Sequence, residues 1–396
     1  MTQQRWPLPM RLFYISYFLG FGCMLPYLNL HFERLGISPF IIGLLSALSS
    51  VVMVTVTPLW GMLADRLGDT RILLRILPFG AIAAMLWLSA QTSPALIAVA
   101  MFLFAVCNSP VMALADSLAI NQTRVEEGLS YGRLRLHGSL GWTIGVFAMG
   151  QIVDRFGLGA IFPGYMIVTL LGALSTFAIP RPAVSDASGP ESTLPRTALL
   201  RNTGLLALLA ASFVLSLATQ ANLAFFPLYM DSLGAQPGII GWTISLSSLT
   251  EIPFMLVADR VIKRVGVQRV VALTYGVFAL QWVAYALAPS YWWLMPVQVL
   301  VGLSFAWWWV ASVKLVNQHV SPNQSASAQS LFSSVSYGLA SITGAAAGGY
   351  IFDYMGPRWL YGIGFVVTVL AMGLLWALGC CKEPEPSSAA PQASGP

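Results

Sequence analysis

Apolar residues gather into twelve stretches along the chain, at about residues 10–32, 39–62, 72–91, 94–119, 134–153, 159–179, 203–230, 238–258, 267–288, 291–314, 328–351 and 358–379. A helix needs ~20 apolar residues to cross the hydrocarbon core of a bilayer, and each stretch is of that order. The pattern predicts an all-α polytopic membrane protein with twelve transmembrane helices. Short polar turns separate most of the stretches. The one long polar segment is rich in Pro, Ser and Gly and reads as a flexible linker. This divides the chain into an N-terminal six-helix bundle (1–180), a linker (181–202), a C-terminal six-helix bundle (203–380) and a disordered tail (381–396). The first stretch is too long for a signal-peptide core and lacks a small-residue cleavage site, so it reads as the first span.

The two halves repeat each other. Pro39-Phe-Ile-Ile-Gly-Leu-Leu-Ser-Ala-Leu-Ser-Ser50 aligns without gaps on Pro237-Gly-Ile-Ile-Gly-Trp-Thr-Ile-Ser-Leu-Ser-Ser248, a shift of 198 residues. The same shift pairs Gly36 with Gly234, Arg66 with Arg264, Gly68 with Gly266 and Arg71 with Arg269, and a shift of 199 pairs Asp154 and Gly157 with Asp353 and Gly356. Six spans is an even number, so both halves share one orientation. Such parallel pseudo-repeats are related by an axis along the membrane normal and bind their cargo at the interface.

Charge orients the bundle. If both termini lie on one side, that side receives 17 of the 20 Lys and Arg residues, and the other receives only Arg34, Arg155 and Arg358. The positive-inside rule then predicts cytoplasmic termini. The net charge of +5 reflects this asymmetry and points to no nucleic-acid partner. Composition agrees: 57% of the 396 residues are hydrophobic, 9% are charged, and the mean hydropathy is +0.74. Soluble domains carry roughly a quarter charged residues. Twelve spans use about 240 residues, which leaves no room for a sizeable soluble domain.

Several motifs carry no chemistry. Gly128-Leu-Ser-Tyr-Gly132 has the hydrolase spacing but no preceding strand. Asn121-Gln-Thr123 and Asn323-Gln-Ser325 fit the glycosylation sequon but face the cytoplasm. No nucleotide-binding loop occurs, and the three histidines and four cysteines have no metal-ligand spacing. No cofactor, metal or catalytic residue is expected.

Gly61-Met-Leu-Ala-Asp-Arg-Leu-Gly-Asp-Thr-Arg71, between spans two and three, resembles the signature loop of the major facilitator superfamily, with a degraded copy in Asp259-Arg-Val-Ile-Lys-Arg-Val-Gly-Val-Gln-Arg269. Physically, glycine permits a tight turn, Asp65 is placed to cap a helix start, and the arginines face anionic headgroups. The resemblance adds a latch that holds the halves closed on the cytoplasmic side, formed by Gly61, Asp65, Arg66, Gly68, Arg71, Asp259 and Arg264. Ala113-Leu-Ala-Asp-Ser-Leu-Ala119 and Tyr131-Gly-Arg-Leu-Arg-Leu-His-Gly-Ser-Leu-Gly-Trp142 resemble the branch with lactose permease, nucleoside:proton symporters and 3-phenylpropionate permease. That likeness implies that Asp116, Arg135 and Trp142 occupy the positions of a sugar-binding carboxylate, arginine and stacking tryptophan. The permease's coupling His and Glu on span ten are replaced here, near Val301 and Ser304.

An Asp or Arg at mid-span costs ~2.5–3.5 kcal/mol on insertion scales, so intramembrane charge marks a pathway. Asp116 and Arg135 lie at similar depth on consecutive helices, where a charge-assisted pair is feasible. Arg135, Ser139 and Trp142 share one helical face at i, i+4 and i+7. The pair is either a structural bridge or part of a solute site, and the resemblance favours the site. Glu251 is the only deep carboxylate of the second half. Removal from water disfavours its charged form, so it is read as a proton carrier, with Asp116 as a second; the alternative is a neutral Glu bonded to a neighbouring helix. Of Trp307, Trp308 and Trp309, one or two can face a cavity, and Trp308 is assigned there. Tyr14, Tyr17, Asn108, Gln220 and Gln298 are further candidate lining.

These readings predict a secondary active transporter in the plasma (bacterial inner) membrane, a monomer in contact with lipid. Its cargo is a small organic solute (sugar, nucleoside or aromatic acid) taken up with protons by alternating access. Drug or metabolite efflux by proton antiport, or a non-transporting receptor of the same fold, are the alternatives. Antiporter families place a Gly-Pro motif late in span five, and residues 141–154 contain no proline.

Overall fold

The computed structural model describes residues 6–125, 129–179, 202–321 and 324–377. The expected tail and nearly all of the expected linker lie outside them, as do Gly128 and Asn323 of the dismissed motifs. The first half contains α1 (Leu8–Arg34), α2 (Pro39–Leu67), α3 (Thr70–Leu88), α4 (Pro94–Val125), α5 (Tyr131–Phe156) and α6 (Ile161–Thr176). The second contains α7 (Thr203–Ser232), α8 (Pro237–Val265), α9 (Val267–Ala286) and α10 (Tyr291–Gln318). Its eleventh crossing joins α11 (Ser325–Ser333), a π-helical turn (Ser334–Leu339) and α12 (Ala340–Tyr354), and α13 (Pro357–Ala377) completes it. Among the described residues, ten helices are individually long and apolar enough to cross a membrane. The π turn divides the eleventh crossing, so neither of its two α segments is long enough to span alone. α5 falls short because glycines, His137 and Gln151 dilute its apolar residues, although residues 136–153 carry no Asp, Glu, Lys or Arg. Hydrocarbon offers no partner to a backbone amide, so helices satisfy every spanning segment internally.

The repeat is written into the turns. Among the described residues, the glycines with positive φ are Gly36 and Gly234, Gly68 and Gly266, and Gly157 and Gly356. These are the three glycine pairs of the sequence repeat. Only glycine adopts this left-handed backbone without steric cost, so the same bends are fixed in both halves. At the loop after α2 the structure corrects the expected cap. Asp65 lies exposed in the last turn of α2, and Asp69 caps α3 by accepting the amide of Arg71 at 3.0 Å. Gly68, with φ of 65°, ends α2 and leaves Asp69 as the first residue in position to cap.

The halves meet mainly on the face opposite the termini, here called the far face. Gly43 of α2 lies so close to α12 that a Cβ would come within 2.5 Å of the Ala345 carbonyl. On the other flank, a Cβ on Gly150 of α5 would come within 2.8 Å of the Pro237 carbonyl. Small residues give helices in lipid this closeness. Pro39 and Pro237 each take the first position of their helix, where proline lacks an N–H. The next residue supplies the first free donor, and a carboxylate from the other half accepts it. The Gly238 amide donates to Asp154 Oδ1 at 3.0 Å, and the Phe40 amide donates to Asp353 Oδ2 at 3.3 Å. The two carboxylates are themselves a repeat pair. Arg34 adds a bridge to Asp231 at 2.7 Å, and Asn29 Nδ2 donates to the Ala224 carbonyl at 2.9 Å. Bonds between the halves continue inward to Ser50–Ser341 and to Ser245–Thr143, near the helix midpoints. The molecule is closed at its far face.

A side-chain cap contributes ~0.5–2 kcal/mol, and a negative charge at a helix N-terminus adds ~0.3–1 kcal/mol. The Asp154→Ala/Asp353→Ala variant is therefore expected to populate conformers opened at the far face. Each 1–2 kcal/mol removed shifts the ratio roughly 5- to 30-fold. Pulsed EPR between spin labels on the α1–α2 and α7–α8 turns reads this as a longer distance. An unchanged distance distribution would show that the carboxylates do not hold this face shut.

Candidate functional site

A cavity of about 350 Å³ lies between the halves at mid-helix depth. One helical face from each of four C-terminal helices builds most of its wall. These are Thr219, Gln220 and Asn222 of α7, Ser247 and Glu251 of α8, Phe278, Gln281 and Trp282 of α9, and Val301, Phe305 and Trp308 of α10. Tyr337 enters from the π turn, and Trp142 of α5 is the contribution of the N-terminal half. A π-helical turn accommodates one extra residue per turn and frequently marks a functional position. Here it also turns the Ser336 carbonyl toward Gln220, which donates to it at 3.4 Å.

Glycine sets the position of Glu251. A Cβ on Gly302 of α10 would come within 2.8 Å of the Glu251 amide and would collide with Thr250 Oγ1. α8 and α10 therefore touch directly beside the carboxylate. No Lys, Arg or His is among the described residues lining the cavity. The three neighbouring tryptophans of α10 divide their roles. Trp307 Nε1 donates to the Phe254 carbonyl at 3.2 Å, and Trp309 packs on Phe332 and Tyr337. Trp308 lines the cavity with its Nε1 buried and bonded to no protein group. The Oδ1 of Asn222 is likewise buried without a protein partner. A buried donor and a buried acceptor left open cost ~1–3 kcal/mol each, and a ligand that pairs both recovers this.

The remaining residues selected from sequence fall into other places. Asp116 and Arg135 do meet, at 3.8 Å, and Tyr14 Oη donates to Asp116 Oδ1 at 2.6 Å. The Arg135 guanidinium lies 4.8 Å from the centre of the Phe18 ring, which packs into the space left by Gly138. This cluster sits seven residues before Trp142 on the same face of α5, hence ~10 Å nearer the termini. Ser139 is exposed between the two. Tyr17 and Asn108 are not at the cavity. Tyr17 stacks between Phe13 and Phe21, and both line a void of about 10 Å³ inside the N-terminal half, too small for a solute. Gln298 lies in a neighbouring chamber, with Nε2 donating to Tyr285 Oη at 2.9 Å. Asn222, Gln281, Trp282 and Tyr337 escaped selection. The run Thr219-Gln220-Ala221-Asn222 was the available signal, because two amides within a span are unusual.

Among the described residues, the expected latch residues engage their own halves or none. Arg71 donates to Asp69 and to the Ile179 carbonyl, and Asp259 pairs with Lys314 at 2.6 Å. Asp65, Arg66 and Arg264 are exposed, and the space beside Gly61 is open. The loop is disengaged while the far face is closed.

The model of the MFS_1 like family matches residues 8–363. The chain belongs to that family. It is 30% identical to the maltose permease of Geobacillus stearothermophilus over 353 residues, covering 89% of this chain and 88% of the permease. It is 28% identical to the uncharacterized transporter YwbF of Bacillus subtilis (strain 168), covering 91% and 90%. The crystal structure of a variant of the nucleoside transporter NupG superposes with a TM-score of 0.82 at 18% identity, covering 94% of this chain and 99% of that one. The family's major facilitator fold makes this chain an integral membrane protein and a secondary transporter rather than an enzyme.

Contact at Gly302 generates a direct expectation. Gly302→Val overpacks the α8–α10 seam at a cost of ~1–3 kcal/mol and displaces Glu251. The melting temperature falls and transport is lost. Gly276→Ala, where a Cβ meets nothing within 4 Å, is the control and leaves both unchanged. Full transport by Gly302→Val would show that the seam does not position the carboxylate.

Proposed function

We propose that this transporter takes up an uncharged, hydroxylated, ring-bearing solute together with protons across a bacterial inner membrane, as a monomer with cytoplasmic termini. The observation that carries the reading is the cavity itself: aromatic walls, several amides and hydroxyls, one carboxylate and no cation among its lining residues. Aromatic faces stack on rings, while amides and hydroxyls pair with hydroxyl groups. An aromatic acid would bring a carboxylate into a cavity that has nothing basic among its lining residues to pair with it, which disfavours that member of the three expected cargo classes. The maltose permease and the nucleoside transporter are named for cargo of the favoured kind.

Glu251 supplies the coupling. An ionised carboxylate without a partner costs several kcal/mol in a low-dielectric interior, so the empty cavity takes up a proton before the halves close around it. Solute binds Trp142, Gln220 and Trp308, and the neutral, loaded cavity rocks between the two faces. The unpaired Asn222 and Trp308 groups give binding its polar specificity. Asp116, Arg135, Ser139 and Tyr14 line the route between cavity and cytoplasm, with Asp116 as the second carboxylate on the proton's way. Closure at the cytoplasmic end engages the loop of Asp65, Arg66 and Arg71, and the arginines near that face meet anionic lipid headgroups.

Uptake into proteoliposomes tests this. With the interior held at pH 7.5, acidifying the outside to pH 5.5 is expected to drive solute accumulation by the parent. Glu251→Gln is expected to equilibrate solute without accumulating it and to respond weakly to the gradient. Accumulation by Glu251→Gln at the parent level removes Glu251 from coupling.

A further inference from the structure

A groove of about 380 Å³ runs along the outside of the N-terminal half, where α3 packs against the end of α6. Ile72, Ile76 and Phe79 of α3 line it at i, i+4 and i+7, one helical face, and Phe177 forms the other side. Ile76 and Phe177 are each more than half exposed, and none of these residues lines the central cavity. Lipid tails are as apolar as such a wall and cover it.

The fifth lining residue is a cation. Arg75 stands five residues into α3, ~7.5 Å along its axis, at the end of the bundle that carries the termini. From there a long side chain reaches the headgroup level. Its guanidinium lies 5.4 Å from the centre of the Phe177 ring, and Nη2 donates to the Phe177 carbonyl at 3.5 Å. That bond is at the outer limit of length, and Nε is buried with no partner. None of the four ion pairs among the described residues includes Arg75. Arg71, one turn earlier, is held by Asp69 at 2.6 Å and by the Ile179 carbonyl. The groove therefore joins an apolar wall to one uncompensated positive charge. The fold does not demand that charge. The shift of 198 residues that pairs Arg71 with Arg269 pairs Arg75 with Leu273, which is itself more than half exposed.

We propose that this groove binds an anionic phospholipid of the phosphatidylglycerol class. The phosphate pairs with the Arg75 guanidinium in a charge-assisted contact, beside the Phe177 carbonyl, and one acyl chain lies over Ile76 and Phe79. Both walls belong to one half, so the groove keeps its shape as the halves rock and the lipid stays bound through the cycle. The proposal rests on the reading that arginines near this face meet anionic headgroups, and it assigns one of them a groove and a lipid.

Native mass spectrometry of the purified full-length protein tests this. The protein is released from detergent micelles holding equal amounts of palmitoyl-oleoyl phosphatidylglycerol and phosphatidylcholine, and bound adducts are counted. The parent is expected to retain phosphatidylglycerol about fivefold in excess, the ~1 kcal/mol that one basic side chain near an anionic surface supplies. Arg75→Gln is expected to bring the ratio to about one. So is Ile72→Glu, which sets a carboxylate three residues before Arg75 to pair with it. Arg260→Gln removes an exposed arginine from the same end of the other half and is expected to keep the parent ratio. Because a ligand stabilises by RT ln(1 + [L]/Kd), phosphatidylglycerol is also expected to raise the melting temperature of the parent above its value in phosphatidylcholine, and not that of Arg75→Gln. An Arg75 that only finishes α6 would lower both melting temperatures equally. Size-exclusion profiles identify a variant that fails to fold, and the other groove variant then decides. If neither folded groove variant lowers the ratio, or if Arg260→Gln lowers it as much, the groove is refuted and the general attraction of this face for anionic lipid stands. If the parent shows no preference, both fall.

Discussion

Glu251 is a carboxyl group on the wall of a cavity that has no cationic side chain among its described lining residues to balance it. Every other feature of the centre can be understood from that constraint. The helices around it are packed closely enough, through Gly302, to fix its place. Its other neighbours are aromatic rings and neutral amides, which solvate a neutral carboxyl group far better than a carboxylate. On the proposed reading, a site built in this way loads and releases a proton and does not take an anion.

The same economy of charge appears at the far face, solved differently. Asp154 and Asp353 do not pair with arginine. They accept amide protons at the opened end of a helix in the opposite half, and the proline at each helix start makes that amide the first one free. Two-fold repetition then gives two matching clamps on either flank of the cavity. A contact made of one carboxylate and one amide is strong enough to favour a closed face and weak enough to separate in a transport cycle. At the other end the signature loop is folded and capped, and its bonds to Asp69, Arg71 and Ile179 stay within its own half. The two faces are therefore in complementary states, as alternating access requires of a site sealed from one side at a time.

The polar cluster of Asp116, Arg135 and Tyr14 illustrates a different balance. Its members are linked to one another and lie ~10 Å from Trp142 along α5. The pair is long at 3.8 Å, and the guanidinium is half exposed and rests on the Phe18 ring. Such an arrangement can trade partners without leaving a charge buried alone, which suits a route better than a tight binding pocket.

The length of the apolar runs determined the twelve crossings, and the gapless repeat determined that the halves are alike and parallel. Both are one-dimensional signals: hydrocarbon thickness fixes span length, and a glycine with positive φ must stay glycine. Gln220, Glu251 and Trp308 were also legible as cavity lining, because a costly polar or bulky aromatic residue in a span is conspicuous by itself, and Trp142 was legible through the family resemblance. The sequence left undecided which face of each helix looks inward. Tyr17 and Asn108 turned into the packing of their own half, whereas Asn222, Gln281, Trp282 and Tyr337 turned to the cavity. Rotation about a helix axis depends on which neighbours pack against it, and in a bundle apolar on all sides no amphipathic stripe records that choice. The cap at Asp69, the π turn that delivers Tyr337 and the groove between α3 and α6 exist only once helices distant in sequence lie side by side.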